Sequence, residues 1–214
     1  MNCPILSHFD IGDRDEIRAA FAHARTLPML QTWRVAPEDR FLPANVRIGW
    51  RDDRFLVLGE LTDTQLYTSA TEDNQILCDF GDVFEIFLRD SEIETYAEFH
   101  VAPNGKRLQL LWPDAGAIRR VRNKQVAFDD LKVHEPIFDF SQWSEGEKWY
   151  ICASVPTCVF LPRGTSLEGR TWRASFSRYD YSSAEEQPVL SSTSPHTGNV
   201  SFHSQQDWAA LSFC

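Results

Sequence analysis

The chain has 214 residues, 43% of them hydrophobic, 13% aromatic and 24% charged, a globular mixture that excludes collagen, a coiled coil or a disordered chain as the main architecture. Against 21 Lys and Arg stand 31 Asp and Glu, a net charge of -10. The overall field therefore repels phosphate backbones and anionic lipid surfaces, so neither nucleic acid nor a membrane is an expected partner.

The first ten residues, from Met1 to Asp10, show neither a basic n-region nor an apolar h-region, and no later stretch is long and apolar enough to span a bilayer. Five cysteines at 3, 78, 152, 158 and 214 lack C-x-x-C spacing, which argues against a disulfide framework or a zinc knuckle and for reduced thiols. A cytoplasmic location is expected, with a secreted chain carrying a new Met1 left open.

In chain order, residues 14–26 are the one convincing helix, with Ile17, Ala20, Phe21 and Ala24 at i, i+3, i+4 and i+7, Asp13 as cap and Pro28 as stop. After Pro43 the texture becomes alternating short segments, and strands are predicted at 46–50, 55–61, 83–88, 96–102, 107–112, 126–133, 149–155, 172–179 and 209–213. Turn signals at Asp52-Asp53, Asn104-Gly105, Asp114 to Gly116, Glu145-Gly146 and Arg163-Gly164 suit antiparallel neighbours. The Ser-rich run 190–201 reads as a long surface loop, and Asn199-Val200-Ser201 is a formal glycosylation acceptor. The expected architecture is all-β: one antiparallel two-sheet sandwich, with 1–30 as a helical extension and 31–214 as the sandwich.

Parity divides these strands into two faces. Phe84, Ile86 and Leu88 form one side of their strand, and Ala97, Phe99 and Val101 form one side of the next. Trp172, Ala174 and Phe176 make a third core stripe. The opposite side collects Glu85, then Tyr96, Glu98 and His100, then Arg173, Ser175, Ser177 and Tyr179. Carboxylates accept from sugar hydroxyls, Arg and His donate to oxygens, and aromatic rings stack on C–H faces, so this side suits a neutral polyhydroxylated ligand. It equally suits an ordinary solvated face with cross-strand ion pairs. Trp50, Trp149, Trp172 and Trp208 read as core residues.

Several ordered motifs resemble the family 9 carbohydrate-binding modules. They are Ala44-Asn45-Val46-Arg47-Ile48-Gly49-Trp50, the strand 55–63, Gly81-Asp82-Val83-Phe84-Glu85-Ile86-Phe87-Leu88 and Ala97-Glu98-Phe99-His100-Val101. The strand 172–179, Asn199-Val200-Ser201-Phe202-His203 and Trp208-Ala209-Ala210-Leu211 then look like the closing segment of that family. The resemblance spans about residues 30–214 and implies a jelly-roll-like β-sandwich that clasps a sugar, such as the reducing end of a glycan, between two aromatic rings. It implies that Glu85 contacts the sugar, that Glu98 and His100 stand where members place Gln and Arg, and that Phe202 is the second ring. Where sugar-binding members hold a Trp, this chain has Asp79 or a neighbour, with Cys78 and Phe80 beside it, and Phe80 substitutes only if the loop is rearranged. Arg173 completes the expected ligand-binding set. The chain has no D-x-D-x-D-G loop, and Thr71-Glu72-Asp73-Asn74 reads as a solvated turn, so no cofactor is expected from the residues, while the resemblance leaves structural calcium open because members often carry it.

Two other classes compete. Glu85 and Glu98 on adjacent strands allow an acid–base pair for glycoside chemistry, which would make the protein an enzyme. A structural domain that has lost its ligand is the third reading. No Gly-x-Ser-x-Gly elbow, phosphate loop or His-Glu-x-x-His motif is present, and Met1 and Met29 are poorly placed for haem.

Overall fold

The structure is a computed structural model that describes residues 1–181, 187–197 and 200–214. Among these residues, strands dominate and form two sheets packed face to face. The smaller sheet has the order β2-β3-β4-β9-β8 and is antiparallel throughout. Its strands are β2 (Thr26–Met29), β3 (Ala44–Arg51), β4 (Arg54–Thr62), β8 (Asp139–Glu145) and β9 (Lys148–Pro156). The larger sheet runs β1-β12-β10-β5-β6-β7, and β11 shares one edge of β10 with β12. It comprises β1 (Asn2–Cys3), β5 (Val83–Asp90), β6 (Tyr96–Val101), β7 (Arg107–Trp112), β10 (Thr171–Asp180), β11 (Val189–Ser192) and β12 (Ala209–Phe213). Only its β1–β12 pairing is parallel among these strand pairs. The all-β sandwich expected from the sequence is the fold.

The alternation of apolar residues dictates the layers. Phe84, Ile86, Leu88, Ala97, Phe99, Trp172, Ala174 and Phe176 meet Val46, Ile48, Phe55, Val57 and Ile151 of the smaller sheet in the central core. Phe84 and Phe176 lie with parallel rings 6.3 Å apart. A second cluster lies on the outer side of the larger sheet, where Val83, Phe87, Tyr96 and Trp112 are covered by Ala117, Leu131, Phe202 and Trp208. The smaller sheet is backed in the same way by α1 (Arg14–Phe21), through Ile17 and Phe21. Gly81, at φ 141°, brings Tyr67 against the start of β5. A Cβ there would lie 2.3 Å from the Tyr67 carbonyl oxygen, so only glycine fits.

Several expectations need correction. The helix is capped by Asp13, whose side chain accepts from the N–H groups of Asp15 and Glu16, but it ends at Phe21 rather than Thr26. The chain must turn there because Thr26 already pairs with Arg47 in β2, an edge strand that tolerates Pro28. With β1 and β2 inside the two sheets, residues 1–30 are woven into the sandwich and are not an extension. The run 126–133 is not a strand. It is a 3-10 turn at Phe128–Leu131, where Lys132 pairs with Asp129 at 2.6 Å and Phe128 and Leu131 face the outer cluster. The signal at Asp114 opens α2 (Ala117–Arg122), with Arg120 bridging back to Asp114 at 2.7 Å. The serine run is not a surface loop either, since β11 pairs with β10, and Ser191, Ser192, Ser194 and His196 are buried. The small side chains allow this approach, and the Ser192 hydroxyl meets those of Ser175 and Ser177, both at 3.3 Å. Asn199, the formal glycosylation acceptor, lies outside the described residues.

The core stripe of β10 continues past Phe176 into charge. Arg178, 1% exposed, bonds the Asp63 carboxylate and the Thr62 carbonyl at the end of β4, each at 2.8 Å, and lies 3.1 Å from Asp180. This buried clamp ties the two sheets. Arg178→Ala removes the cation that Asp63 and Asp180 share and is expected to destabilise the fold by about 3–5 kcal/mol in urea unfolding. A loss under about 1 kcal/mol would contradict the clamp.

Asp82 adjoins the same cluster, facing Asp63 and Asp180, and accepts the N–H groups of Tyr67 and Tyr181, both at 2.6 Å. Burial pushes its carboxyl up from 3.8 to about 7 despite those bonds. Burial also raises Asp180 to about 6 against the pull of Arg178 and Arg40. A carboxyl raised by folding stabilises fully below its unfolded value and loses that contribution as pH rises through the folded value. Unfolding free energy should therefore fall as pH rises from about 4 to about 7, and Asp82→Asn should make that fall shallower. An equal slope in both proteins would contradict the assignment.

Candidate functional site

The outer side of the larger sheet carries the site. Glu85 on β5 lies directly opposite His100 on β6 and opposite Ser177 on β10, while Glu98, two residues before His100, shares its side of the pleat. The imidazole joins the two carboxylates. His100 Nε2 lies 2.6 Å from Glu98 Oε1 and 3.1 Å from Glu85 Oε1. The second Glu98 oxygen accepts the Trp112 indole N–H at 2.7 Å. The second Glu85 oxygen and His100 Nδ1 are buried and have no hydrogen-bond partner among the described residues.

Rings enclose this polar floor. Tyr96 and Trp112 stack at 5.6 Å with planes 3° apart, and His203 stands edge-on to Trp112 at 4.9 Å. The Tyr96 hydroxyl meets His203 Nδ1 at 2.9 Å, which lies 3.8 Å from Glu98 Oε2. Above the floor is a pocket of about 180 Å³, walled by Phe87, Trp112, Phe128, Tyr179 and Phe202 and bordered by Arg122, Val200 and Ser201. A wider cleft of about 550 Å³ lies by Phe9, Arg51, Arg54 and Phe140. Its ion pair, Arg54 with Asp139, has the partners 39% and 65% exposed, so it lacks the buried ionisable cluster that marks a functional site.

Burial sets the electrostatics of the floor. It pushes Glu85 up to about 8, with His100 opposing the rise and Glu98 adding to it. For Glu98 the same burial is outweighed by His203, by the His100 bond and by the Trp112 N–H, and its value is lowered. Burial pulls His100 down, but Glu85 and Glu98 together raise it. His203 is lowered, chiefly by burial. Burial thus favours the neutral form of Glu85, while its neighbours favour the carboxylate form of Glu98.

Glu85, Glu98, His100 and Phe202 therefore converge on one recess, although none is more than 5% exposed. Phe202 meets Tyr179 edge-on at 5.6 Å and borders Trp33 and His196. Arg173 and Phe80 do not join the recess. Arg173 lies opposite Arg89 and reaches the Trp208 carbonyl at 3.4 Å. Phe80 packs against the outer cluster, and Ile76 and Cys78 line the wall in its place. Trp112, His203, Phe128 and Arg122 were not anticipated. Parity along β7 gave a usable signal for Trp112, since Leu108, Leu110 and Trp112 share one side.

For structural calcium, the oxygen-rich candidate is Asp63, Asp82 and Asp180. The residues do not fit a calcium ion, because the Arg178 guanidinium already pairs with Asp63 and Asp180, and both Asp82 oxygens accept backbone N–H groups. In the 71–74 turn, Thr71 and Glu72 direct their N–H groups to Gln75 Oε1, and Asp73 faces Arg107. No helix among the described residues is long and apolar enough to cross a membrane.

No family model and no curated protein matches the sequence. Solved structures do match. A candidate carbohydrate-binding protein from Bacteroides uniformis ATCC 8492 superposes with a TM-score of 0.75 at 15% identity, covering 100% of this chain and 98% of that one. A family 9 carbohydrate-binding module from Caldicellulosiruptor kristjanssonii in complex with cellotriose gives 0.65 at 17% identity, covering 100% and 92%. A family 9 module from the same organism in complex with glucose gives 0.64 at 16%, covering 100% and 95%. The chain thus has the fold of the family 9 modules.

Trp112→Phe keeps most of the stacking and removes the donor to Glu98. It is expected to cost about 1–3 kcal/mol in urea unfolding, because a buried ionised acceptor loses its partner. No change in midpoint would show that this bond does not hold the floor.

Proposed function

We propose that the protein is a non-catalytic carbohydrate-binding domain that takes one sugar unit, or the end of a glycan, into the pocket over Glu85, Glu98 and His100. The observation that carries this reading is a small concave site lined by buried acceptors, imidazoles and the rings of Trp112 and Phe202. Hydroxyls need both donors and acceptors, and C–H faces need rings. The fold likeness to modules solved with cellotriose and glucose supports the same ligand class. At about 180 Å³ the pocket is smaller than sites for drug-sized ligands, which suits a single ring entering end-on.

The geometry weighs against the acid–base pair. Glycosidase carboxyls stand about 5 Å or more apart, flanking the bond that breaks, whereas one oxygen each of Glu85 and Glu98 lie within 4.8 Å of one another, the Glu98 oxygen bonded to His100 Nε2 and the Glu85 oxygen 3.1 Å from that same nitrogen. All five cysteines are unpaired, which supports residence in a reducing compartment, the cytoplasm in this reading.

Calorimetric titration with glucose, cellotriose and a panel of other mono- and oligosaccharides tests the proposal. Saturable binding is expected for at least one of them. Phe202→Ala and Glu85→Ala should each weaken it by about five- to thirtyfold, the equivalent of about 1–2 kcal/mol. Flat titrations across the panel, or binding indifferent to both substitutions, would contradict it.

A further inference from the structure

We propose that Glu85, Glu98 and His100 form a site for one divalent transition-metal ion, zinc or manganese, at the floor of the pocket. The inference is separate from the saccharide reading and needs no sugar. One donor atom from each of the three residues lies within 4.8 Å of the other two, and all three residues are buried. The cluster also holds an unspent donor. The Glu85 side chain is 3% exposed, and its second oxygen has no partner among the described residues, although it belongs to a residue lining the pocket.

The two donor spacings about His100 suit an ion of this size. Ligands bound tetrahedrally at about 2.0–2.2 Å lie about 3.3 Å from one another. His100 Nε2 stands 3.1 Å from Glu85 Oε1, near that spacing, and Glu98 Oε1 at 2.6 Å has to draw back by less than an ångström. An incoming ion takes the Nε2 lone pair and one oxygen of each carboxylate, and the protons held on those donors leave to solvent while the ring retains one proton, on Nδ1. Two carboxylates then balance the charge of the ion. One nitrogen and carboxylate oxygens select zinc or manganese ahead of calcium or magnesium. The Trp112 N–H on the far oxygen of Glu98 supplies the outer bond that orients a metal-binding carboxylate.

Titration of the chelator-treated full chain with zinc chloride and manganese chloride, followed by calorimetry and Trp fluorescence, tests the site. One equivalent should bind, with calcium and magnesium weaker by about 100-fold or more. Glu85→Gln and His100→Gln should each weaken binding by more than about 100-fold, and Trp112→Phe by about tenfold. A Cys158→Ser, Cys214→Ser double variant, which removes the exposed thiols, should bind as the parent does. If a variant of the floor does not fold, the parent protein loaded with cobalt(II) still decides the matter. Hyperfine shifts should fall on the His100 ring rather than on surface histidines such as His8 and His23. Absence of saturable binding, binding unchanged in Glu85→Gln, or cobalt shifts confined to surface histidines would overturn the site.

Discussion

The larger sheet is buried on both sides, and the rest of the structure depends on that constraint. In a sheet with one wet face, the residues at 85, 98 and 100 would be solvated and weakly paired. Here α2, the 3-10 turn at Phe128–Leu131 and the Phe202 to Trp208 segment close over them. Charges out of water must satisfy one another or become neutral. His100 between two carboxylates, with Trp112 holding Glu98 from behind, is one solution. Its consequence is order, because each floor side chain is fixed by bonds and stacked rings before any ligand arrives.

The strand β10 faces the same problem twice. One side of its pleat carries Trp172, Ala174 and Phe176 into the central core and ends in Arg178, which reaches the other sheet. The other side carries Ser175 and Ser177 against Ser192 of β11, where hydroxyls bond one another and let the backbones approach. Where Asp63, Asp82 and Asp180 gather, a guanidinium supplies the positive charge from within the chain. Stability and site geometry are thereby joined through one strand, since Ser177 lies opposite Glu85 and Arg178 is its neighbour.

Much of this was legible in the sequence. Period-two alternation at 83–88, 96–101 and 172–176 placed the core stripes and put Glu85, Glu98 and His100 on one side, because successive side chains of a strand point to opposite faces. What failed was local. The run 190–201 looked solvated because serine is polar, yet hydroxyls that bond one another are satisfied when buried. The run 126–133 alternated like a strand, but Asp129 and Asp130 made a tight turn that shields the pocket. Arg173 had the correct parity and lay too far along its strand, opposite Arg89 instead of Glu85. His203 lies within a turn, where no period exists to read its direction. Parity gives the side a residue faces and says little of what covers it.

The most direct measurement of whether the recess is the ligand site is a two-dimensional NMR titration with cellotriose that follows the indole N–H of Trp112 and the ring of His100. The account predicts that both resonances move and saturate together with the Phe202 ring. Shifts confined to residues around Phe9, Arg51 and Phe140, with Trp112 and His100 unmoved, would assign the sugar to the other sheet and contradict it.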